Sequence, residues 1–156
     1  MLTLSAKTAR PIMADIETRE LTDQLLVLLS DNQIFLNKVQ KAQWNHNILS
    51  TDHYDHVTNQ LFNCAEKIAL QLKSINGFVP ADMELYLSLS DIEENLNLQN
   101  KHQMVKDLLA SHKTLMTDLV HFSKDEDTMT EKKEVLMSYL KSSHQKITEI
   151  LSILTL

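Results

Sequence analysis

The sequence predicts an all-α chain of four long helices around one core, and three observations carry that prediction. Glycine occurs once and proline twice in 156 residues. Apolar residues recur at three- and four-residue steps along four stretches, and one long gap separates the second stretch from the third. A chain rich in Leu, Lys, Gln, Glu, Met and Ala and nearly free of Gly and Pro suits long helices with few tight turns. At this length a single domain buries enough apolar surface to fold without staples. The expected organisation is a flexible N-terminal tail over residues 1–14 and one domain over residues 15–156.

In the first stretch, residues 15–45, Leu21, Leu25, Leu28, Phe35, Leu36, Val39 and Ala42 form one helical stripe. A polar segment, residues 46–50, follows. The second stripe runs through Val57, Leu61, Cys64, Ala65, Ile68, Leu72 and Ile75, and Asn76-Gly77 supplies a left-handed stop. Pro80 is expected to open a short helical turn over residues 81–87, ahead of a polar segment at 88–99. Asn100 and Gln103 resemble a cap for a third helix carrying Met104, Leu108, Leu115, Met116, Leu119 and Phe122. Residues 124–127 end it. Thr128 with Glu131 fits a capping box for a fourth helix with Val135, Leu136, Tyr139, Leu140, Ile147, Ile150 and Leu154. Two helices, a long crossover with a short helix, and two more helices make a bundle with a single long connection.

The net charge of -6 argues against a body that coats nucleic acid by itself, because phosphate neutralisation needs clustered Lys and Arg. The single cysteine, Cys64, cannot form an internal disulfide. It lies on the stripe of Leu61 and Ile68, which makes it a small buried hydrophobe rather than a reactive thiol. With no leader-like segment and no long apolar run, the expected compartment is the cytoplasm.

At the end of the first helix, Gln40-Lys41-Ala42-Gln43-Trp44-Asn45 resembles the Dps-family pattern His-x-x-His-Trp-Asn with both histidines replaced by glutamine. Glu66-Lys67-Ile68-Ala69-Leu70-Gln71, followed by Ile75-Asn76-Gly77, is similar to that family's Asp-x-x-Ala-Glu-Arg segment, with Leu70 in place of the second acid. Lys124-Asp125-Glu126-Asp127-Thr128 is similar to the acidic segment before the family's last helix. With the helix order, these matches span residues 21–154. The resemblance implies a ferritin-like four-helix bundle that assembles into a dodecameric shell, oxidises and stores iron, and in some members protects DNA under stress.

The same resemblance implies an oxidation centre between two-fold related subunits, in which iron is held by imidazole and carboxylate. Here Gln43 and Leu70 stand at lost ligand positions, and Thr51 stands where a histidine is expected. Asp55 and Glu66 remain as donors, so low or absent ferroxidase activity is expected. A shifted alignment would instead bring His53 or His56 beside Asp55 and Glu66 as a rearranged metal site, against the plainer reading of two solvated histidines near a helix start. A scaffold without metal chemistry is the further alternative.

Asp125, Asp127 and Glu131 would line a three-fold pore in such a shell, or simply form an acidic loop that favours the next helix's dipole. Lys7 and Arg10 would give a repeated tail a weak DNA contact, or belong to an ordinary terminus. Trp44 is assigned to the bundle core in preference to a subunit interface. His102, His112, His121 and His144 lack the spacing of a hemerythrin-like centre, and several are placed on the polar sides of their stripes.

Overall fold

The computed structural model describes residues 12–155, with side chains from Ile16 onward. It is all-helical among those residues. The long helices are α1 (Ile12–Asn45), α2 (Thr51–Asn76), α4 (Lys101–Ser123) and α5 (Glu131–Leu151), and α3 (Met83–Leu89) is short. Two 3-10 turns, Glu126–Thr128 and Ser152–Thr155, flank α5. No helix among the described residues is long and apolar enough to cross a membrane.

The long helices form a ring of neighbours: α1 packs on α2 and α4, and α5 packs on both α2 and α4. Their inward faces meet in one cluster that includes Leu25, Phe35, Leu61, Leu72, Met104, Leu119, Leu140 and Ile147, all buried. Residues 77–100 return along α1. They start where α2 ends, beside the first turns of α1 and α5. They finish at the far end of α1, where the His46 ring meets the Leu98 carbonyl. The α3 helix lies on α1 within this return. The middle of α1 is therefore covered on three sides, and even Ser30, Asp31, Asn32 and Lys38 are buried there.

The helix ends follow local chemistry. Ser50 Oγ accepts the His53 amide to cap α2, and Asn100 caps α4 through the Gln103 amide. Gly77 closes α2 with φ 73° and donates its amide to the Lys73 carbonyl at 2.9 Å. A Cβ there would touch nothing within 4 Å, so the cost of Gly77→Ala is the left-handed backbone alone. We expect a loss of about 1 kcal/mol in urea unfolding; an unchanged midpoint would contradict it.

Four expectations are corrected. The short helix begins at Met83, not Ala81, with Asp82 ahead of it. The cap of α5 is Thr130, whose hydroxyl accepts the Lys133 amide, and not Thr128. The Thr128 hydroxyl is instead turned inward, bonded to the ammonium of fully buried Lys133. Val135 points out of the core and is 71% exposed, and Trp44, assigned to the core, is 74% exposed.

Candidate metal centre

One face of α1 carries a polar residue every seven positions: Gln24, Asp31 and Lys38. Seven residues are nearly two turns, so the three project to one side. Ser111, Asp118 and Asp125 repeat at the same interval along α4 and its C-terminal turn. Lys38 Nζ donates to Ser111 Oγ at 2.7 Å, and Gln24 Nε2 donates to Asp125 Oδ2 at 2.6 Å. Between them Asp31 meets Asp118. Each step up α1 is matched by a step down α4, the register of an antiparallel pair.

The outer rungs are electrostatically satisfied. Lys38 also bonds Asp107 Oδ1 at 3.0 Å and the Glu93 carbonyl at 2.9 Å, joining α1 to α4 and to the return segment. The Gln24 amide holds the Asp125 carboxyl below its usual range, helped by the Asp127 amide and Thr128.

The middle rung places acid against acid. Asp31 is fully buried. Its Oδ1 accepts from Ser90 Oγ at 2.7 Å and from the Asp91 amide at 3.0 Å, which pins the end of α3 to α1. Its Oδ2 is buried and meets no donor, and the same is true of Asp118 Oδ2. Oxygens of Asp31, Asp91 and Asp118 all lie within 4.8 Å of one another. Burial raises the Asp31 carboxyl, and burial together with the neighbouring Asp31 pushes Asp118 up to about 7. Asp91, on the exposed side, is raised by its contact with Asp118. Three converging carboxyl oxygens can hold a metal ion.

A second buried polar pair lies across α4 and α5. His112 Nε2 and His144 Nδ1 are 3.1 Å apart, and Phe35 packs against the His112 ring. Both rings are buried, so the polar sides expected for several of the four histidines do not include these two. Burial lowers His112 to about 4, and burial plus the neighbouring ring lowers His144 to about 3. One neutral ring donates to the other, which satisfies the pair without charge. His102 and His121 are exposed. Cys64 is buried and its thiol is pushed up to about 11, an inert side chain.

The residues singled out by resemblance lie mainly on the outer surface. Asp55, His56 and Glu66 are exposed, Gln43 and His53 are half-buried, and Leu70 is 58% exposed. Among the described residues of one chain, Asp31, Asp91 and Asp118 are the only three such side chains that converge, so His53, His56, Asp55 and Glu66 build no cluster of their own. Asp125 turns inward to Gln24, while Asp127 and Glu131 face solvent. Lys7 and Arg10 lie outside the described residues. No protein-family model matches this sequence, and no curated protein matches it at a significant level.

Sequence reasoning missed Asp31, Asp91 and Asp118. The available signal was the seven-residue polar repeat on α1 facing the same repeat, reversed, near α4.

Proposed function

We propose that this chain is a divergent ferritin-like subunit of Dps type, which assembles with its own copies into a shell for iron sequestration or storage and for stress and DNA protection. In this proposal the iron-oxidising centre between subunits has been lost. The observation that carries it is the outward face of the first hairpin. Trp44 is 74% exposed, Phe62 52% and Leu70 58%, and Phe62, Glu66 and Leu70 follow one another on one face of α2. Large apolar groups at helical spacing on an outer face mark a surface that another protein covers. The resemblance puts a two-fold axis at these same positions.

Iron would be cargo here. Gln43 and Leu70 replace an imidazole and a carboxylate, and leucine offers no lone pair to a metal. The donors left at matching positions are Asp55 and Glu66, too few to hold and tune iron for oxidation. Aerobic iron oxidation by the purified protein is therefore expected to proceed at the protein-free rate and to be unchanged by Glu66→Ala. A saturable rate that this substitution abolishes would overturn the loss of the centre.

Assembly is tested by light scattering on the full-length protein. Twelve copies of a 17.9 kDa chain give about 215 kDa. Phe62→Asp with Leu70→Asp replaces two exposed side chains, so the helices persist by circular dichroism while the mass falls to that of a small oligomer. A wild-type protein that stays monomeric at tens of micromolar would overturn assembly.

A further inference from the structure

We propose that Asp31, Asp91 and Asp118 bind a hard divalent cation of the Mg2+, Mn2+ or Ca2+ class within a single chain. The site stands apart from the surface positions at which a shell would place iron between subunits, and it does not depend on assembly.

The decisive observation is the fully buried Asp31, whose Oδ2 has no hydrogen-bond donor although every other need of that side chain is met. A buried carboxylate oxygen without a partner is costly, and it is rare in native proteins unless an ion or water completes it. Here the groups nearest to it are further carboxyls, which offer no donor when ionised. Asp118 Oδ2 is buried and unpartnered in the same way. Between the two outer rungs, where Gln24 and Lys38 each supply a donor to α4 or its turn, the middle rung supplies an acid to an acid. A proton on Asp118 can bridge it to Asp31, and a cation is the group that satisfies both carboxylates in their ionised form.

Geometry and donor type set the class of ion. The three oxygens lie within 4.8 Å of one another, a spacing that oxygens around one ion reach when each is about 2.0–2.6 Å from it. The donors are all oxygen, with no imidazole or thiolate among them, which suits Mg2+, Mn2+ or Ca2+ rather than Zn2+ or Cu2+. Asp91 is exposed, so water can complete the coordination on that side, as these ions require.

Each ligand comes from a different part of the chain: α1, the return segment just after α3, and α4. Binding an ion would therefore fasten the return segment to the α1–α4 pair at mid-length. Ser90 and the Asp91 amide already hold one oxygen of Asp31, so the Asp31 carboxylate and the backbone of Asp91 are positioned before the ion arrives.

The test uses the full-length protein, stripped with a chelator and titrated with Mn2+, Mg2+ or Ca2+. Loss of the free Mn2+ resonance signal is expected to report about one ion per chain, and Tm is expected to rise by several degrees with a saturating ion. Asp118→Asn removes one charge of the cluster. It is expected to weaken Mn2+ binding at least tenfold, while its Tm in chelator equals or exceeds that of the wild type because the repulsion is relieved. Asp91→Asn, at an exposed position, gives the same loss of binding without risk to the core. Wild-type protein that binds none of the three ions, or an Asp91→Asn variant that binds Mn2+ as tightly as the wild type, would overturn the site. Because binding is read per chain, a failure of assembly leaves this result intact, and the reverse also holds.

Discussion

Between pH 7 and pH 5, replacing His112 and His144 together by leucine is expected to spare the protein about 2–4 kcal/mol of the stability that the histidines lose. Burial keeps both imidazoles neutral in the fold, whereas the unfolded chain protonates them near 6.5. Their contribution is complete above pH 6.5. It is lost as pH falls from there through about 4 for His112 and about 3 for His144. The aspartate cluster acts in the opposite sense. Asp118, raised from 3.8 to about 7, weakens the folded state at neutral pH, and that penalty fades as pH falls from about 7 towards 3.8. Wild-type stability is thus the sum of two opposed slopes, and only the comparison with His112→Leu/His144→Leu isolates the first. Urea unfolding at the two pH values measures it; parallel slopes for wild type and variant would contradict the buried neutral pair.

Lys38→Met is expected to cost about 3 kcal/mol, which for a chain of this size lowers Tm by about 10 °C. Methionine keeps the apolar stem but removes an ammonium that joins Asp107, Ser111 and the Glu93 carbonyl. The Ser111 hydroxyl and the carbonyl lose their donor. Asp107, with its side chain 27% exposed, is left unpaired but can draw on water. Adding Asp107→Leu removes the orphaned charge and is expected to restore about half of the loss, since a buried pair costs more to halve than to replace whole. Thermal melts followed by circular dichroism would show it. A single variant within 1 kcal/mol of wild type would mean that Lys38 does not tie the return segment to α4.

Helix order and most of the core were legible because amphipathic spacing is a local property. The stripes of α1, α2 and α4 fall on buried or half-buried residues throughout, and the Asn76-Gly77 stop coincides with a left-handed glycine. What escaped depends on contacts distant in sequence. Asp31 interrupts an apolar run and resembles a solvated residue, until the return segment, through Ser90 and Asp91, closes over it. His112 and His144 look polar one helix at a time and become core only because each satisfies the other across two helices. Thr128 and Thr130 compete as caps on equal local terms, and the buried ammonium of Lys133 decides by taking the Thr128 hydroxyl. Trp44 follows an apolar stripe, but it stands two residues beyond buried Ala42, about 200° round the helix, so its ring faces outward although the core continues through Leu49 and Tyr54.

The proposed shell makes a definite demand on geometry: Gln43 of one chain must lie close to Glu66 of another. Chains carrying Gln43→Cys and chains carrying Glu66→Cys, both with Cys64→Ser, can be mixed, reassembled and treated with a short bifunctional thiol reagent. Dps-type pairing predicts a cross-linked dimer that joins one variant to the other. Recovery of uncross-linked chains alone, from protein that is assembled in solution, would contradict it.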